Sequence, residues 1–136
     1  DGTWNAPSGA VAREDLIAHW DGSSTKTNIG TAYVDVYVAA GDDGRTVRVD
    51  FTGKTDVSGR VLWDKIGTGT HAVKCVDRDN TANTLWELTN VLAGGNIVPL
   101  TVLPAWATGV KNIKLQCKST VATDDPVFRG CNVNLI

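Results

Sequence analysis

Short apolar runs recur along this chain with polar turn clusters between them, leaving no room for helices to alternate with strands. The runs lie at Thr31–Ala39, Arg45–Thr52, Arg60–Ile66, His71–Val76, Thr84–Leu92, Ile97–Leu103, Val110–Cys117 and Cys131–Ile136. The clusters "GDDG", "GTGT", "DRDNTAN", "AGGN" and "ATDDP" punctuate them. Alternating residues broken by Gly, Asp and Asn are the mark of strands joined by tight turns. About eight such strands with no interleaved helices predict an antiparallel β-sandwich of jelly-roll or Greek-key winding.

One segment reads differently. In "SGAVAREDLIAHWDG", Ser8 offers an N-cap, Asp21-Gly22 a stop, and Ala12, Leu16, Ile17 and Trp20 an apolar stripe at helical spacing. A short N-terminal helix is expected there, with Trp20 anchoring it to the core. No repeat or second domain is visible, so residues 1–136 are expected to form one sandwich domain.

Thirteen basic residues against fifteen acidic ones give a net charge of −2, without the basic surplus that nucleic-acid binding needs. The longest uncharged run, Leu88 to Val110, contains Gly94, Gly95, Asn96, Pro99 and Pro104, so it reads as strands and turns rather than a membrane span. No signal peptide is recognisable, and the start at Asp1 without methionine reads as a mature or trimmed chain.

Of three cysteines, Cys117 and Cys131 flank the turn-rich "KSTVATDDPVFRG", where a disulfide would close the loop; Cys75 then remains a buried thiol. Such a bridge implies an oxidising compartment, meaning secreted, periplasmic or cell-surface. The cysteine-bounded segment loosely resembles the loop that closes type IV pilins. The long N-terminal helix of that family is missing, and no residue roles follow from the resemblance.

Several motifs fail on inspection. "TGKT" at 52–55 lacks the first glycine of a phosphate loop, since Arg48 stands there. His71 and Cys75 on one strand would lie about 13 Å apart, too far to share a zinc ion. Asp77, Asp79, Thr81 and Asn83 place oxygens on alternate residues as a calcium loop does. Ala82 replaces the required glycine, however, and Leu88 the closing glutamate. A loop of Asx turns is the simpler reading, with calcium at Asp77 and Asp79 the alternative. No cofactor is required, and no nucleophile, base and oxyanion hole assemble, so no enzyme is expected.

The surface chemistry points elsewhere. "AYVDVYVAAGDDGRTVRVDF" reads as a hairpin turning at Asp43-Gly44, with Tyr33, Asp35, Tyr37, Arg48 and Asp50 on one outer face. Rings for CH-rich faces beside charged groups for hydroxyls suit a carbohydrate. Trp4 and Trp106, in turn-like contexts, are further candidate platforms. The expectation is a non-catalytic, lectin-like recognition module for a glycan or surface polysaccharide. The alternative is a structural subunit of an extracellular assembly (pilus, fibre or virion surface) whose partners are copies of itself, with Leu88 to Val110 partly buried between them.

Overall fold

A computed structural model describes residues 15–20, 23–37 and 45–136. Ten strands follow one another, with no helix among the described residues: β1 (Asp15–Trp20), β2 (Ser24–Thr25), β3 (Val34–Asp35), β4 (Val47–Asp50), β5 (Asp56–Asp64), β6 (His71–Asp77), β7 (Thr84–Val91), β8 (Gly94–Val102), β9 (Val110–Ser119) and β10 (Val127–Leu135). All eight expected runs contain strands; β1 and β2 are additional.

The pairing is nested. β1 and then β2 run along β10, and β3 and then β4 run along β9. Inside these, β5 pairs with β8 and β6 with β7. Two further pairings, β10 with β5 and β6 with β9, gather the ribbons into sheets ordered β1-β10-β5-β8 and β3-β9-β6-β7. Counting each interrupted edge as one strand, first pairs with last around the whole chain. That winding is the eight-stranded jelly roll.

Alternation sets what each strand buries. In β5, Val57, Val61 and Trp63 are fully buried while Arg60 and Leu62 face out; in β9, Ile113, Leu115 and Cys117 point inward. The core between the sheets is filled by Trp20, Trp63, Phe51, Phe128, Ile113, Leu115 and Leu135. Phe128 is its aromatic hinge point, edge-on to Tyr37 at 5.5 Å and to Trp63 at 6.5 Å.

Three expectations change here. Residues 15–20 form strand β1, not the end of a helix, and residues 1–14 and 21–22 lie outside the described ones. Ala18 and Trp20 are buried while His19 is exposed, the period-two pattern of a strand laid on β10. The tyrosine hairpin does not form: β3 and β4 do not pair with each other, because β9 offers both an edge on which Val34 meets Cys117 and Val47 meets Ile113. The Asp43-Gly44 turn lies outside the described residues.

Finally, Cys117 and Cys131 are free thiols, as is Cys75, and all three are buried. β9 and β10 belong to opposite sheets, where Cys117 sits beside Val34 and Val73 and Cys131 beside Trp20 and Val61, so neither thiol has a cysteine as cross-strand neighbour. The inference of an oxidising compartment loses its premise with the bridge.

Candidate functional site

The outer face of the β3-β9-β6-β7 sheet carries most of the tyrosine surface expected from sequence. The Tyr33 hydroxyl donates to Glu87 at 2.6 Å, and the ammonium groups of Lys74 and Lys118 lie 4.3 and 4.6 Å from its ring centroid. Burial, then the Glu87 bond, raises the phenol above its ordinary value of 10.0. Asp35 accepts from Lys114 Nζ and Gln116 Nε2, each at 3.1 Å. Farther along the same edge, Arg48 sits opposite Asn112, and Asp50 accepts the Thr52 amide at 3.0 Å. Hydrogen bonds from Thr52 hold the Asp50 carboxyl below its usual range.

Tyr37 is not on that face. After Val36, whose amide bonds Leu115 O at 3.0 Å, the chain leaves β9 and strand alternation ends. The Tyr37 ring therefore drops onto Phe128, only 5% exposed, with the Arg45 guanidinium 4.6 Å from its centroid. The face is thus a strip of ion pairs and cation–π contacts around a single tyrosine, and that ring is already taken up by two lysines.

Trp106 is half-buried rather than an open platform. Its indole donates to Thr84 O at 3.1 Å and meets Phe51 edge-on at 6.1 Å, closing one end of the sandwich. Trp4 lies outside the described residues. In the acidic loop, Asp77 accepts the Asp79 amide at 2.9 Å and Asn80 accepts the Ala82 amide at 3.2 Å, both Asx turns, while Arg78 pairs with Asp79. Among the described residues, no three His, Cys, Asp or Glu side chains are grouped as metal ligands.

A buried polar cluster was not anticipated. Trp63 Nε1 donates to His71 Nδ1 at 2.9 Å, so the imidazole proton sits on Nε2, which donates to Asp124 at 2.9 Å. The same Asp124 oxygen accepts from Ser119 Oγ and the Gly69 amide, both at 2.9 Å. The His71 bond is the main reason this carboxyl titrates below its ordinary range, with Ser119 and Gly69 adding to it. Although it holds Ser, His and Asp, Ser119 and His71 each bond the carboxylate and not each other, so no base addresses the hydroxyl. The cluster ties β6, the 66–70 turn and the β9–β10 connection together. Its sequence signal was a histidine and a tryptophan at inward positions of adjacent runs, each with a polar atom needing a partner.

The opposite sheet looks different. β8 is its edge strand, and Ile97, Leu100 and Val102 are 66%, 57% and 75% exposed. Leu62 on β5 and Leu92 beside β8 extend this surface. They fall in or against the uncharged run from Leu88 to Val110. Sheet edges are normally protected by charge, and β8 carries none.

The sequence matches no family model and no curated protein. The fold does have relatives among solved structures. The infectious bursal disease virus VP2 subviral particle matches with a TM-score of 0.50 at 13% identity, covering 100% of this chain and 37% of that one. T=1 particles derived from infectious bursal virus match with a TM-score of 0.50 at 15% identity, covering 100% of this chain and 35% of that one. The chain therefore spans little more than a third of the length of the proteins it resembles, and what it shares with them is the fold.

Proposed function

We propose that this chain is a non-catalytic structural domain whose partners are copies of itself, the building block of a shell such as a virion surface. The observation that carries the reading is the uncharged, apolar edge of the β1-β10-β5-β8 sheet, where Ile97, Leu100 and Val102 stand exposed. The similarity of its jelly roll to those of the matched virus particles supports the reading, as does the contrast between this apolar side and the charged opposite side. The charged side here is the Tyr33–Lys118 strip, whose polar groups satisfy one another and leave no open ring for a sugar. Sedimentation velocity over a hundredfold concentration range, with electron microscopy of the heaviest species, tests this. A mass several times that of one chain, rising with concentration and regular in images, is the expected result. A single monomeric boundary throughout would remove the proposal, and a glycan array would then be the next experiment.

A further inference from the structure

The outer face of β5 and β8 is laid out in rows. By strand alternation, Asp56 sits beside Val102, Ser58 beside the bulged Pro99–Leu100, and Arg60 beside Ile97. Along β5 the charge reads negative, neutral, positive; along β8 every residue is apolar or neutral. A depression of about 450 Å³ lies over this face and reaches across β5 to β10, lined by Ser58, Arg60, Ile97 and Leu100 together with Asn132 and Asn134.

We infer that this face is a two-fold contact between two copies of the chain, with the axis lying in the interface along the Ser58–Leu100 row. The inference rests on the proposed self-assembly and names its contact surface. An isologous interface must be complementary to itself. Turning the face over on that axis exchanges the outer rows. Each Arg60 then faces the partner copy's Asp56, each Ile97 its Val102, and Leu100 meets Leu100. Along these three rows of β5 and β8, each exposed apolar group finds an apolar group and each charge finds its opposite. The same operation centred on the Arg60 row would set two guanidinium groups against each other, which selects the Ser58 row.

The contact is made by side chains and not by adding a strand to the sheet edge. Pro99 lacks an N–H, and the β5–β8 register breaks between Val57 and Gly59, opposite it. Proline and a bulge both interrupt an edge as a hydrogen-bonding template.

A charge-swap series on the full chain tests this by sedimentation equilibrium, with circular dichroism confirming the fold. Arg60→Asp and Asp56→Arg each place like charges together and should weaken association roughly 10-fold to 100-fold. The double variant carrying both changes restores the pairs and should return association to near the wild-type value. Leu100→Asp, which sets two carboxylates together on the axis, should abolish the contact. Lys118→Glu on the opposite sheet should leave it intact. If wild type associates but the double variant stays as weak as the singles, or Leu100→Asp associates normally, the contact lies elsewhere and the assembly reading survives alone. If wild type is monomeric, both fall together.

Discussion

Asp124 holds His71 by a 2.9 Å hydrogen bond to Nε2, and His71 in turn receives the indole proton of Trp63 on Nδ1. Each of the three is buried, and each polar atom along the line has its partner. Trp86, equally deep at 5% exposure, has an indole nitrogen with no hydrogen-bond partner among the described residues.

The two tryptophans should therefore answer differently to the same change. Trp63→Phe strands His71 Nδ1 and opens space in a closed core, which costs about 1–3 kcal/mol for the unpaired acceptor plus a share for lost packing. Trp86→Phe deletes a donor that bonds nothing, so only the packing share remains, about 1 kcal/mol. Urea unfolding of both variants reads the difference. Equal losses would show that the Trp63–His71 bond adds nothing.

Acid should find the Asp124 cluster first. The folded carboxyl titrates below its ordinary value of 3.8, chiefly through the His71 bond. A group depressed in the folded state contributes fully above the ordinary value, and the contribution drains away as pH falls through the folded value. Melting temperature between about pH 6 and pH 2 should fall more steeply in wild type than in Asp124→Asn, which has no carboxyl to protonate at that site. Parallel curves would place the acid sensitivity in other carboxylates such as Asp50.

Gly67 and Gly53 both have positive φ, +114° and +76°, yet only one is crowded. A Cβ on Gly53 meets nothing within 4 Å, whereas on Gly67 it collides with the Asp124 carboxylate. Gly53→Ala should cost about 1–2 kcal/mol for the left-handed backbone alone. Gly67→Ala adds overpacking of about 1–3 kcal/mol against a carboxylate that three donors hold in place. Chemical denaturation of the pair measures the gap.

Thiol labelling checks the cysteines directly. Burial pushes Cys117 up to about 12 and raises Cys75 and Cys131 as well. None of the three should react with a thiol reagent in the folded protein at neutral pH, and all three should react in guanidinium without reductant. Only one reactive thiol in guanidinium would mean that a bridge had formed.

Strand content was legible because a period of two is written locally. In β5 and β9, side chains alternate between core and solvent as the residues do between apolar and polar. β1 was misread because Leu16, Ile17 and Trp20 satisfy helical spacing, and only β10, more than a hundred residues away, decides between the two. The Asp43-Gly44 signal was equally local, and pairing with β9 overrode the hairpin it implied. Tyr37 followed from that error, since alternation cannot be carried past the end of a strand. Asp124 was hidden in "ATDDP", which reads as an ordinary turn; its importance comes from His71 and Gly69, both far from it in sequence.

The first-with-last pairing also sets the order in which this protein can fold. Of the strands that pair with one another, only β6 and β7 are consecutive in the chain, joined through the Asx turns at Asp77 and Asn80. Every other hairpin encloses that one, and closing a long loop is slow until the loop within it has closed. Formation should run outward from residues 71–91 like a zipper, with β1 meeting β10 last. Damage to the 77–83 turn would then appear mainly as slower folding, and damage to the β1 edge mainly as faster unfolding.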